Sequence, residues 1–110
     1  MVVGSDFSVG GSVAKQDERY VVTDNNSLSR LILSSTDLNP GYNTSGHKHS
    51  GQEEVYIFVR GSGEMQIDSD RFFVKAGDTV LIKDGCFHQV FNTGDENLYF
   101  LCVFEGKRNH

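Results

Sequence analysis

From Glu54 onward, apolar and polar positions alternate with a period of two in short runs broken by turn residues, and helical spacing is nearly absent. The runs Tyr20 to Thr23, Arg30 to Ser35, Glu54 to Arg60, Glu64 to Asp68, Phe72 to Lys75, Thr79 to Ile82, Phe87 to Asn92 and Leu98 to Phe104 are rich in Val, Ile, Phe and Tyr. Each predicts a strand. The connectors Arg60-Gly61-Ser62-Gly63, Asp68-Ser69-Asp70, Ala76-Gly77-Asp78, Lys83-Asp84-Gly85 and Thr93-Gly94-Asp95-Glu96-Asn97 carry turn chemistry, so the second half reads as a meander of hairpins. Many short strands without helices predict an all-β sandwich or barrel and exclude a doubly wound fold.

With 110 residues, 37% of them hydrophobic, and a single proline, the chain predicts one globular domain with one core. Residues 20–105 hold every predicted strand. Residues 1–19, with their glycine and serine clusters and the charged stretch Lys15 to Arg19, read as an N-terminal arm or tail, and residues 106–110 as a C-terminal tail. Fifteen acidic residues against ten scattered basic ones argue against a nucleic-acid partner. The longest apolar run, Leu98 to Phe104, is too short to span a bilayer, and Met1 to Gly11 does not resemble a signal peptide; the reading is a cytoplasmic protein with no membrane partner. Cys86 and Cys102 lie in strand-like segments without the spacing of a zinc finger or redox motif and read as buried reduced thiols, with a disulfide as the minor alternative.

Chemistry concentrates in the stretch GHKHSGQEEVYIFVRGSG, residues 46–63. On an extended strand His47 and His49 point the same way and Lys48 the other. In the strand that follows, Glu54, Tyr56 and Phe58 share one face and Val55, Ile57 and Val59 the other. Both faces are largely apolar, so the strand is central, and an inward Glu54 carboxylate needs a partner to offset its desolvation. Two imidazoles and a divalent cation would supply one. A further histidine, His88, sits on the alternating run Cys86 to Val90. An HxH pair alone does not separate a metal site from a solvated hairpin end.

The wider spacing does. Gly41, His47, His49, Glu54 and Gly61 are separated by five, one, four and six residues, and Gly77, Lys83, Gly85, His88 and Asn92 by five, one, two and three. These resemble the two signature motifs of the cupin superfamily, G(x)5HxH(x)3-4E(x)6G and G(x)5PxG(x)2H(x)3N. Nine of the ten specified positions agree, and the departure is Lys83 in place of proline. The resemblance implies a single-domain cupin jelly-roll β-barrel holding one divalent transition metal ion (Fe, Mn, Ni, Zn, Co or Cu) on His47, His49, Glu54 and His88. Gly61, Gly77 and Gly85 then read as turn residues, and Asn92 as a strand-end amide that bonds nearby backbone.

Residues sharing the ligands' strand faces are candidates to line the cavity: Tyr56 as a proton donor to a metal-bound substrate, and Phe58 and Cys86 as substrate contacts, with core packing as the alternative for each. Lys83, with Lys48 and Arg60, is a candidate to bind a phosphate group, or else a solvated strand-end charge. The chain looks like the mannose-6-phosphate-isomerase-like cupins, which implies an isomerase-like action on a small polar metabolite such as a sugar or sugar phosphate. A metal-dependent dioxygenase and a non-catalytic module binding metal and a small-molecule ligand are the alternatives. Short cupins resembling this one often pair, implying a homodimer.

Overall fold

The computed structural model describes residues 1–48 and 50–106, which form ten strands and no helix. In chain order these are β1 (Ser12–Gln16), β2 (Tyr20–Asn25), β3 (Leu31–Leu38), β4 (His47–Lys48), β5 (Glu54–Arg60), β6 (Ser62–Ile67), β7 (Asp70–Lys75), β8 (Thr79–Ile82), β9 (Phe87–Phe91) and β10 (Leu98–Glu105). They build two antiparallel sheets, one of six strands ordered β1-β2-β3-β10-β5-β8 and one of four ordered β4-β9-β6-β7. The fold is all-β, as the pattern predicts, and it is the jelly roll that the resemblance implies. As expected, β5 is an interior strand, flanked by β10 and β8.

Alternation decides which side chains meet between the sheets. Glu54, Tyr56 and Phe58 of β5, Leu98, Phe100, Cys102 and Phe104 of β10, and Tyr20 and Val22 of β2 point inward and are buried. The four-stranded sheet contributes Met65, Val74, His88 and Val90 from its own inner positions. Phe58 and Phe100 stack obliquely at 5.2 Å near the centre, where full burial of one such ring contributes about 2 kcal/mol or more. The tightest hairpin joins β6 to β7 through Asp68-Ser69, with Ile67 paired to Asp70 and Asp68 at φ +52. Aspartate is one of the few residues that tolerates that left-handed conformation.

Two stretches differ from the sequence expectation. Within residues 1–19, Ser12–Gln16 form β1, the edge strand paired with β2, and Val9 is buried where its carbonyl accepts from the Asn25 side-chain amide at 2.7 Å. β1 is solvent-exposed except at Lys15, so it carries no apolar alternation to read. β3 runs on to Leu38 through Ser34, Ser35 and Thr36, which are buried polar residues lying between β2 and β10. Their backbone groups are satisfied by two ladders, which lets small hydroxyl side chains occupy an interior strand. Of residues 106–110, Gly106 donates to the Arg30 carbonyl at 2.8 Å, and the rest lie outside the described residues.

Candidate metal centre

The short β4 lies antiparallel against β9 with His47 directly opposite His88. Directly paired residues share a face, and the two imidazoles meet edge to face with centroids 4.4 Å apart. Glu54 arrives from the other sheet at the first position of β5, and its Oε2 lies 2.7 Å from His88 Nε2. One ligand atom from each of His47, Glu54 and His88 falls within 4.8 Å of the others. Residues 41 positions apart in sequence are thus brought together by cross-strand register, and a third from the facing sheet closes the group. His49, expected to join them, lies outside the described residues.

The chemistry of this group fits a cation. His88 is buried, and its Nδ1 lies 3.3 Å from the Cys86 carbonyl. A carbonyl only accepts, so Nδ1 is the donor in that contact and Nε2 is the nitrogen turned toward the Glu54 carboxylate. Across 2.7 Å out of contact with water, nitrogen and carboxylate are held together by a positive charge, either a proton on Nε2 or a cation bound to both. Orientation of one imidazole nitrogen by a backbone carbonyl is also how metal-binding histidines are commonly held. On the other side the Cys102 thiol donates to Glu54 Oε1 at 3.5 Å.

Beside the ligand group is a cavity of about 40 Å³, lined by Lys15, Tyr20, Val22, Thr36, Thr44, Ser45, His47, Tyr56 and Phe100. Tyr56 forms its wall next to the centre. Its ring stacks on Phe100 at 5.2 Å with an 18° interplanar angle and meets His88 edge-on at 5.8 Å, so its position is fixed by packing. Phe58, Cys86 and Lys83 do not line this cavity. Phe58 is sealed in the core at 1% exposure. Cys86 packs on the core's edge, where burial pushes its thiol up from the usual pKa and the neighbouring Asp68 adds to the shift. Lys83 is exposed on the turn between β8 and β9.

That turn closes without the usual proline. The Cys86 amide donates to the Lys83 carbonyl at 3.2 Å, and Gly85 sits at φ +82 in the third position, the place where a turn of this kind needs glycine. The Asp84 side chain accepts from the Gly51 amide at 2.7 Å, pinning the loop before β5 to the turn before β9. Asn92 behaves as a strand-end amide, donating to the Leu38 and Glu96 carbonyls at 2.9 Å each and accepting from the Gly94 amide at 3.0 Å. Of the other basic residues, Lys48 is exposed on β4. Arg60 ends β5 six residues from Glu54, its guanidinium over the Tyr99 ring at 4.4 Å.

Two residues at the site were not singled out in the sequence. Cys102 touches the carboxylate, and its inward position follows from the alternation Leu98, Phe100, Cys102, Phe104; what pattern cannot supply is the register that pairs it with Tyr56. Lys15 lies in the stretch whose sequence reads as an N-terminal arm or tail.

A family profile described as the cupin domain matches residues 35–104. An oxalate-binding protein of Thermotoga maritima is 36% identical over 72 residues, a match covering 66% of this chain and 60% of that one. A glucose-6-phosphate isomerase of Pyrococcus abyssi is 28% identical over 115 residues, covering 89% and 61%. The chain therefore spans about three-fifths of the length of these two curated relatives. Among solved structures, a predicted oxalate decarboxylase from Thermotoga maritima superposes with a TM-score of 0.80 at 25% identity, covering 96% of this chain and 98% of the other.

Proposed function

The chain belongs to the cupin family, and on that premise we propose that it is a metal-dependent cupin that binds a small chelating carboxylate, of which oxalate is the best-supported example. The observation that carries this reading is the convergence of half-buried His47 with buried Glu54 and His88 beside a cavity of only about 40 Å³. Sites for larger ligands usually measure about 300 to 1,000 Å³, so the space suits a compact ligand far better than a hexose phosphate. The names of the oxalate-binding relative and of the oxalate decarboxylase neighbour support the same class.

In this reading His47, Glu54 and His88, with His49 as the fourth member of the motif, hold one divalent transition metal ion. A bound ion of this kind polarises a ligand oxygen as a Lewis acid. Glu54 balances part of the ion's charge, and the Cys86 carbonyl keeps the His88 lone pair aimed inward. Tyr56 and Phe100 line one side, and the Tyr56 phenol is the proton donor in this reading, which its place in the cavity wall supports. A second reading, isomerisation of a sugar phosphate, is favoured by the glucose-6-phosphate isomerase relatives and would require the cavity wall to open.

Calorimetry on protein reconstituted with Mn²⁺, Zn²⁺ or Fe²⁺ separates the two. Oxalate should bind the metal-loaded protein and not the chelated one. Failure of every loaded form to bind oxalate would overturn the carboxylate reading, and interconversion of sugar phosphates by a loaded form would establish the second.

A further inference from the structure

β1 is an edge strand whose pairing with β2 slips by one residue. Ser12 pairs with Asp24 and Val13 with Thr23, whereas Lys15 pairs with Val22 and Gln16 with Val21. Ala14 is the extra residue, a β-bulge. Paired residues share a face, and Val22 points into the barrel at 5% exposure. In an unbroken register Lys15 would pair with Val21 and face outward; the bulge turns it inward. Bulges commonly re-aim a side chain in this way next to active sites. Lys15 is accordingly the one half-buried residue of an otherwise exposed strand, and it lines the cavity that His47 and Tyr56 also line. Among the described residues lining that cavity it is the only lysine or arginine.

The strand that carries it is anchored at the same place. At the turn following β1, the Arg19 guanidinium donates to Ser45 Oγ at 3.0 Å, and Ser45 is itself a cavity residue two positions before His47. Asn39 holds the same turn through its backbone amide to the Arg19 carbonyl at 2.8 Å and its side chain to the Glu18 carbonyl at 3.0 Å.

We infer that Lys15 is a specificity-determining residue that recognises a second anionic group on a ligand whose first is held at the His47/Glu54/His88 centre. This deepens the carboxylate reading and rests on it. The recognition is the charge-assisted hydrogen bond between an ammonium and a carboxylate. It selects dianionic over monoanionic ligands of similar size.

The test uses the metal-loaded full chain and compares wild type, Lys15→Met and Lys15→Arg, with Lys75→Met as a control that removes an equal charge from the exposed end of β7. Methionine keeps an apolar stem against Val22, so a purely structural role would survive the change. Metal content should be the same in all four proteins. Lys15→Met should weaken oxalate binding about 10- to 100-fold, the range for one hydrogen bond to a charged group, and leave acetate binding unchanged. Lys15→Arg should restore most of the oxalate affinity, and Lys75→Met should match wild type. Equal oxalate affinity in wild type and Lys15→Met overturns the assignment and leaves the carboxylate reading standing. A wild-type protein that loads metal but binds no oxalate overturns both.

Discussion

Replacing Glu54 with glutamine preserves the side chain's shape and removes its charge, which separates a cation site from a plain buried ion pair. In the metal-free protein the change is mild if the site is built for a cation. The new amide can donate to His88 Nε2 across the 2.7 Å separation, its carbonyl still accepts from Cys102, and the difference is about 1 kcal/mol. With metal the change is large, because a charged ligand becomes a neutral one. Metal at 100 times its Kd stabilises the wild type by about 2.7 kcal/mol. At the average unfolding entropy per residue, 1 kcal/mol corresponds to roughly 4 °C for a domain of this length, giving a rise in Tm of about 12 °C. If the substitution weakens the site by about 100-fold, the same metal concentration equals the new Kd; the stabilisation drops to about 0.4 kcal/mol and the rise to about 2 °C. Differential scanning calorimetry of both proteins, after chelation and after addition of Mn²⁺ or Zn²⁺, reads these shifts directly. A metal-induced rise in Glu54→Gln equal to that of wild type would refute Glu54 as a ligand. A fall of about 13 °C or more in the metal-free variant, the signature of a broken buried ion pair worth about 3 to 5 kcal/mol, would show that Glu54 exists to pair with His88.

Other consequences are independent of the metal. Asn92→Ala removes three hydrogen bonds from a side chain 2% exposed, and should lower stability by about 3 kcal/mol and Tm by roughly 12 °C while leaving any metal-induced increment intact; denaturant unfolding that shows less than about 1 kcal/mol would count against its role as a strand-end tie. The raised pKa of Cys86 means that less of it is thiolate at neutral pH than in an ordinary cysteine. Its alkylation by iodoacetamide, followed by peptide mass spectrometry, should be slower than that of a free thiol at pH 7 and should climb with pH to a plateau above the usual thiol pKa.

How much of this was legible from the chain depended on whether the signal was local. Glu54–Arg60 and Thr79–Ile82 were delimited correctly because their apolar alternation and flanking turn residues are both strong. β1 escaped because an edge strand with a bulge has neither a buried face nor an unbroken period. Lys15 escaped with it, since its direction is set by a register slip against β2 that no one-strand pattern encodes. Thr36 to Leu38 escaped for a different reason: they follow two serines and lead into the turn-like Asn39-Pro40-Gly41, and only the two flanking ladders carry the strand on to Leu38. The convergence of His47, Glu54 and His88 was legible because fixed spacing substitutes for register, so the three could be grouped without knowing that His47 lies opposite His88.

The position of the centre also bears on why the fold holds together. His47 and His88 belong to the four-stranded sheet and Glu54 to the six-stranded one, so the centre bridges their inner faces; the Asp84 side chain bonding the Gly51 amide is a loop tie outside the sheets. An ion shared by both sheets would link surfaces that otherwise adhere through the non-directional packing of Phe58, Phe100, Met65 and Val90. Packing of that kind tolerates small sliding motions between layers, whereas ligands from both sides fix one relative placement. An ion bound by this carboxylate and two imidazoles would hold the relative position of the sheets, and with it the distance between Tyr56, His47 and Lys15 across the cavity.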